Sequence, residues 1–288
     1  MTDEGWVDRL GLVEKPIVDI LIEERAPKLA GSWAWPLVRQ PLYQALHYPQ
    51  ARAMADAIAP MGGAAAMEHI SDLLALDVTA RGLEHVPATG RLVVVANHPT
   101  GIADGIALYD KLKGPRPDLL FYANSDAHRV CPRFDEALIP VEWVKTKRTR
   151  ERTRLTLQMT REAMEAERCL AIFPAGVLAR RDTQGVLTDK PWMPTAISVA
   201  QKYEAPVVPA HVSGPWSTLF HFFNGFSPEL RDITLFHELL NKKGRRFSLT
   251  FGRAIPPERL AGQAAEPITE ALKTFVERTL PRDPGAVF

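Results

Sequence analysis

One histidine in this chain stands where acid–base chemistry would need it. His98 follows the apolar run 92–96 and Asn97, and six residues further on comes Asp104. Between them lie Pro99, Thr100 and Gly101. An imidazole ordinarily titrates at about pH 6.5, so it can take a proton near neutrality. A carboxylate at its other ring nitrogen fixes the tautomer and stabilises the cation that forms. An offset of six is not a same-face helical spacing. The pair therefore meets only if His98 precedes a helix and the chain turns at residues 99–101. The same residues also suit a structural arrangement, in which Asp104 caps a helix and His98 serves as a hydrogen-bonding residue.

The elements around this turn can be read from the pattern. Residues 91–96, Arg-Leu-Val-Val-Val-Ala, form an uninterrupted β-branched run that predicts a strand covered on both faces. His98 then sits at a strand's carboxyl end, where open α/β sheets bind ligands. A helix over 102–113 follows. Further strands are expected at 77–80, 119–124, 137–141, 169–173, 206–212 and 247–251. Helices are expected up to about 167, with Leu155, Met159 and Ala163 on one face, and over 196–203. Ile268, Leu272, Phe275 and Val276 mark a closing amphipathic helix. This alternation predicts an α/β fold with a largely parallel central sheet and flanking helices.

That domain, residues 76–288, is preceded by an N-terminal helical region over 1–75. Ile17, Ile20 and Leu21 begin its first helix, and two more are expected over 48–59 and 64–74. Pro36 and Pro41 are expected to break the stretch between them into short pieces. Trp33 and Trp35 suit either a helical cover on the core or a platform that meets membrane lipid.

Composition narrows the class. The 288 residues carry 35 Lys and Arg against 34 Asp and Glu, a formal net charge of +1, which gives no case for nucleic acid. Cys131 and Cys169 form neither a metal spacing nor a disulfide framework, so a reducing compartment is the simpler expectation. No window approaches the roughly 18 apolar residues that span a bilayer, and no leader pattern opens the chain. Membrane contact is therefore expected to be peripheral. The run 145–154 holds Lys145, Lys147, Arg148, Arg150, Arg152 and Arg154. It reads as a solvated loop and first helical turn, or as a contact for anionic lipid, an acidic carrier protein or coenzyme A phosphates.

The segment Asn97-His98-Pro99-Thr100-Gly101-Ile102-Ala103-Asp104-Gly105 resembles the first motif of the glycerolipid acyltransferase superfamily, which includes the 1-acylglycerol-3-phosphate acyltransferases. The five residues between His98 and Asp104, where four are commoner, resemble the haemolysin-labelled branch that contains bacterial acyltransferases of ornithine lipids and related aminolipids. Phe173-Pro174-Ala175-Gly176 is similar to the third motif, Leu138-Ile139-Pro140-Val141 falls where the second belongs, and Val207-Val208-Pro209-Ala210-His211 resembles the fourth. The resemblance covers roughly residues 70–255.

It implies transfer of an acyl group from a thioester to the hydroxyl of a lysolipid, with His98 as general base, Asp104 orienting it and no acyl-enzyme. No resident cofactor is implied. The donor would be acyl-acyl carrier protein or acyl-coenzyme A, and the protein would sit peripherally at the cytoplasmic face of a membrane. Backbone N–H groups near Pro174, Ala175 and Gly176 would serve the oxyanion, with Asn97, Gly101 and Phe173 also lining the site.

Departures from the motifs bear on the acceptor. Ala175 stands where the third motif usually has glutamate, and Leu178 where it has arginine. Glu142 stands where the second motif usually ends in arginine. Arg180 and Arg181 are expected to substitute as anion binders, and Glu142 and Asp189 are candidates to meet an amine. A lyso-aminolipid such as lyso-ornithine lipid is therefore favoured over lysophosphatidate. A catalytically inactive lipid-binding protein on the same fold is the rival of a different class. Trp192 is expected to pack in the core, and His211 to be a pocket or core residue.

Overall fold

The computed structural model describes residues 15–142, 148–182 and 185–288. Five helices come first: α1 (Ile17–Arg25), α2 (Pro27–Ala30), α3 (Trp35–Ala45), α4 (Tyr48–Ile58) and α5 (Gly63–Leu74). The chain continues through β1 (Asp77–Arg81), β2 (Leu92–Ala96), α6 (Ile102–Leu112), β3 (Leu120–Asn124), α7 (Asp126–Val130), β4 (Leu138–Val141), α8 (Arg150–Glu165) and β5 (Cys169–Ile172). Then follow a small hairpin of β6 (Arg180–Arg181) and β7 (Leu187–Thr188), α9 (Thr195–Lys202) and β8 (Val207–Ser213). The last elements are α10 (Thr218–Asn224), α11 (Pro228–Asp232), α12 (Leu235–Leu240), β9 (Arg246–Phe251) and α13 (Ala265–Thr274), which runs into a π-turn, Phe275–Thr279.

Seven strands make one sheet in the order β1-β9-β8-β2-β5-β3-β4. Strands β8, β2, β5, β3 and β4 are parallel to their neighbours. At the other edge β9 runs antiparallel to β8, and β1 lies parallel to β9. The sheet is thus an α/β sheet, largely parallel with a reversed pair at one edge.

The valine run becomes the middle of this sheet because it can be covered on both faces. Leu92, Val94 and Ala96 join one core with the N-terminal helices, α6 and α12. Val93 and Val95 join a second core with residues of α8, α9 and α13. All five residues of β2 are at most 1 % exposed, and fully burying each valine contributes on the order of 1.5–3 kcal/mol. The first core runs unbroken from Val18 to Phe251, so the helices before residue 75 share it with the sheet.

Two local expectations change. Helix α3 is not broken by its prolines: Pro36 lies in its first turn, where no N–H is needed, and the helix passes through Pro41. Pro41 sits on the exposed side, while buried Trp35 and Tyr43 hold the other side to the core. Helix α8 buries Thr160, Ala163 and Met164, whereas Leu155 is exposed. Of the basic run, Lys145 and Lys147 lie outside the described residues. Arg148 donates to the Glu142 carbonyl, and Arg150 and Arg154 face solvent.

Candidate active site

The site grows from the end of β2. Asn97 donates its side-chain amide to the Val212 carbonyl at 2.9 Å and accepts the Val212 N–H at 2.7 Å. This buried pair pins the β2 tip to β8 beyond the last ladder partner, Ala210. The next residue, His98, is then held at both of its backbone groups. Its N–H is shared between the two carboxylate oxygens of Asp189, 3.2 Å from each, and its carbonyl accepts the Ala179 N–H at 2.9 Å.

The turn that follows needs glycine. Gly101 has φ 97° and ψ −145°, a conformation that essentially only glycine adopts, and it starts α6. Asp104 lies three residues into that start and is completely buried. Its Oδ2 accepts the N–H groups of Thr100 and Gly101 at 2.9 and 3.0 Å, and its Oδ1 accepts the Thr100 hydroxyl at 2.6 Å. A carboxylate here also faces the positive end of the helix dipole.

Oδ2 lies 3.0 Å from His98 Nδ1 as well, within ion-pair distance. Nδ1 is buried and meets no other polar partner among the described residues. A proton on Nδ1 therefore faces the carboxylate and leaves Nε2 as the basic nitrogen. The imidazole stacks on Phe173, with ring centroids 4.4 Å apart and planes at 29°.

Behind the histidine is a buried polar network. Asp189 also accepts Trp192 Nε1–H at 2.8 Å, and its own N–H donates to Glu277 at 2.6 Å. Glu277, in the π-turn, is in turn held by Thr188 and by Lys273. Burial pushes the Asp189 carboxyl up to about 6, with the Glu277 charge adding to the shift. His211 Nδ1 donates to the Val276 carbonyl at 2.9 Å, and burial lowers the proton affinity of its ring.

The sequence-derived candidates separate on this geometry. His98, Asp104, Gly101 and Phe173 come together, and Asn97 fixes their strand. Pro174, Ala175 and Gly176 form the turn after β5, the strand next to β2. Gly176 N–H is taken by the Phe173 carbonyl at 3.0 Å and proline has no N–H, whereas the N–H groups of Ala175, Val177 and Leu178 meet no backbone carbonyl among the described residues. Arg180 and Arg181 form β6, directly after the residue that bonds the His98 carbonyl. The expectation of an amine at Asp189 is not carried by its position: its carboxylate is 4 % exposed and turned onto the His98 backbone. Glu142 lies at the end of edge strand β4, three strands from β2, where Arg152 holds it at 2.8 Å.

Thr100, Leu178 and Glu277 were not legible as site residues. Thr100 is visible in the motif only as a small polar residue. Leu178 packs where a Gly101 Cβ would lie, 3.3 Å away. Glu277 lies far off in sequence. Trp192 is in the core as expected, with the added task of bonding Asp189.

Comparison with known proteins gives the family. The family described as Acyltransferase matches residues 66–280. A lyso-glycine lipid O-acyltransferase of Bacteroides thetaiotaomicron is 25 % identical over 262 residues, covering 89 % of this chain and 91 % of that protein. A lyso-glycine lipid O-acyltransferase of Phocaeicola vulgatus is 27 % identical over 200 residues, covering 66 % and 68 %. Among solved structures, the 1-acyl-sn-glycerophosphate (LPA) acyltransferase PlsC of Thermotoga maritima aligns with a TM-score of 0.47 at 18 % identity, over 75 % of this chain and 79 % of that one. With the family matched across most of its length, the chain belongs to this acyltransferase family and is an acyltransferase enzyme.

Proposed function

We propose that the protein moves a fatty acyl group from an acyl thioester to the hydroxyl of a lysolipid, with His98 as general base. The observation that carries this reading is the contact of His98 Nδ1 with buried Asp104 at the carboxyl end of the parallel sheet, with the ring resting on Phe173. Nε2 removes the proton from the acceptor hydroxyl as its oxygen attacks the thioester carbonyl. The tetrahedral oxyanion forms beside the turn after β5, where backbone N–H groups such as that of Ala175 are free to donate. Collapse expels the thiolate, which takes the proton from the imidazolium. His98 ends neutral, and acyl ester and thiol are the products.

The preferred acceptor is a lyso-aminolipid, in which an amino acid is acylated on its nitrogen. Two observations support it. The motif residues that would be arginine in phosphate-handling members are Glu142 and Leu178. The two relatives reported above carry a lyso-glycine lipid in their names. An N-acylated amino acid has lost its α-amine and kept its carboxylate, so it needs cations and not acids around its head group. A glycine head group fits this better than ornithine, because neither Asp189 nor Glu142 faces the site as an amine partner. The donor is acyl-acyl carrier protein or acyl-coenzyme A.

Contact with lipid is peripheral and on the cytoplasmic side. Among the described residues no helix is long and apolar enough to cross a membrane, and large apolar side chains are exposed at Trp33, Leu37, Phe222 and Phe226.

The test is a panel of purified-protein assays. Lyso-glycine lipid, lyso-ornithine lipid and lysophosphatidate are each offered with acyl-coenzyme A and with acyl-acyl carrier protein. The N-acyl amino acid acceptors are expected to give the higher kcat/KM, and His98→Ala to lose at least about 100-fold in kcat while remaining folded. A folded His98→Ala variant with near-wild-type transfer would remove the base, and a clear preference for lysophosphatidate would replace the acceptor.

A further inference from the structure

The strongest uncommitted feature of the molecule is a cluster of cations beside His98. The two chain segments that bond the His98 backbone each continue into a basic residue. Ala179, which donates to the His98 carbonyl, is followed by Arg180, and Asp189, which accepts the His98 N–H, is followed by Lys190. Both basic residues are therefore the next residues in the chain after the two that hold the His98 backbone.

The two cations also sit close to each other and to Arg231. Lys190 has its proton affinity lowered first by Arg180, then by burial and by Arg231. Arg180 is lowered by burial and then by Arg231, with Asp232 acting in the opposite sense. Arg231 is already engaged by Asp232, at 2.6 and 2.9 Å, and by Asn224 at 3.1 Å. Neither Arg180 nor Lys190 has an ion-pair partner among the described residues. Arg180 Nε is buried with no hydrogen-bond partner there.

A second orphan lies on the same side. His221 Nε2 is likewise buried without a partner, and the His221 ring lies flat under Trp216, 3.8 Å between centroids at 12°. Arg181 covers the other part of this stack, its guanidinium 4.5 Å from the Trp216 ring. Burial lowers the proton affinity of His221, the Glu238 charge raises it, and the charges of Arg181, Lys242 and Arg180 lower it further. A buried guanidinium N–H left unpaired beside other cations is unfavourable unless an anion joins it.

We propose that Arg180, Lys190 and His221, under Trp216, form an oxyanion subsite that takes the carboxylate head group of the lipid acceptor. The subsite rests on the lysolipid reading above and names the part of the acceptor that is recognised. Arg180 supplies the buried N–H, Lys190 an exposed cation at the rim, and Arg231 background positive charge. Binding the head group here puts the acceptor's hydroxyl, further along the lipid, in reach of His98. Phosphates of a thioester donor present the same oxyanion chemistry, and they are separated by which substrate's KM moves.

The experiment compares wild type with Arg180→Gln, Arg180→Lys and Lys190→Gln, each checked for folding by circular dichroism and Tm. Acceptors are a lyso-glycine lipid and the same lipid with its carboxylate converted to a carboxamide. Wild type is expected to prefer the carboxylate by about 10- to 100-fold in kcat/KM, the range for hydrogen bonds to a charged group. Arg180→Gln and Lys190→Gln are expected to shrink that preference by raising the acceptor KM, and Arg180→Lys to restore part of it.

Unchanged preference in the folded glutamine variants overturns the subsite. A rise confined to the donor KM overturns the head-group assignment in favour of a donor phosphate. The same lipids are titrated without donor, following Trp216 emission against a Trp216→Phe control. Should wild type transfer to no lysolipid, tighter carboxylate binding that Arg180→Gln abolishes still supports the subsite, and equal binding of acid and amide overturns it.

Discussion

At the scale of residues, one carboxylate builds the turn and also meets the proposed base. Asp104 accepts three hydrogen bonds that build the turn and start α6, and it also faces His98 Nδ1. Groups that act as a unit are not additive when removed. Asp104→Asn is therefore expected to lower kcat by about 10²- to 10⁴-fold. The double variant with His98→Ala should be no slower than His98→Ala alone. Steady-state kinetics of the two single variants and the double variant check this, and additive losses would show that the two residues act separately.

Asp189 makes a different prediction, in pH. Its carboxyl is raised to about 6 in the folded protein, chiefly by burial. Below about pH 4 it is protonated in both folded and unfolded chains. Between about pH 4 and 6 only the folded chain keeps the proton, so this group's contribution to stability falls as pH rises through that window. Asp189→Asn is neutral throughout. Its stability relative to wild type should improve on going from pH 4 to 7, by on the order of 2–3 kcal/mol. Urea unfolding of both proteins at several pH values reads the difference, and a flat difference would contradict it.

At the scale of elements, the site is a strand tip fixed by its neighbours. Strand β2 contributes the histidine, β8 clamps its end through Asn97, and β5 delivers Phe173 beneath the ring. The hairpin of β6 and β7 is bracketed by Ala179 and Asp189, whose bonds reach both backbone groups of His98. Helix α6 begins only because Gly101 can take its positive φ, with Leu178 packed against the space a side chain would need. Gly101→Ala is expected to cost about 1–3 kcal/mol of stability and to misplace Asp104. Thermal unfolding should show a lower Tm, and activity should fall further than the Tm shift explains. A variant with wild-type Tm and kcat would mean the turn tolerates a side chain.

At the scale of the whole molecule, exposed aromatic side chains gather on elements that touch one another. Trp33 is 87 % exposed just after α2, and Phe222 and Phe226 are 63 % and 60 % exposed at and beyond α10. The N-terminal N–H groups of α2, on Lys28 and Leu29, donate to Glu229 of α11, which joins the two regions. Phe222, Phe223 and Phe226 pack as a cluster with centroids 5.2 to 5.7 Å apart. Aromatic rings beside cations suit a lipid interface. Trp33→Ala combined with Phe222→Ala and Phe226→Ala should weaken co-sedimentation with anionic vesicles at least about tenfold, with little change in Tm. Undiminished binding by the triple variant would place the lipid contact elsewhere.

The sequence by itself determined the layered α/β fold and the position of His98 within it. An unbroken valine run has to be covered on both sides, and a proline–glycine turn has to end it. The motif residues also placed His98 and Asp104 in one turn, although the spacing alone left a cap and a catalytic pair equally open. The tertiary structure shows Asp104 capping the start of α6 and lying 3.0 Å from His98 Nδ1, the arrangement the proposed base needs. It also reversed the edge pair β9 and β1, turned Asp189 inward onto the histidine and left Glu142 three strands away. Arg180 and Lys190 are ten positions apart in the chain and become neighbours only because a hairpin folds back between them. Local pattern reports which surfaces must be buried. Which side chains then meet depends on strand order and loop closure, which join residues that no local periodicity connects.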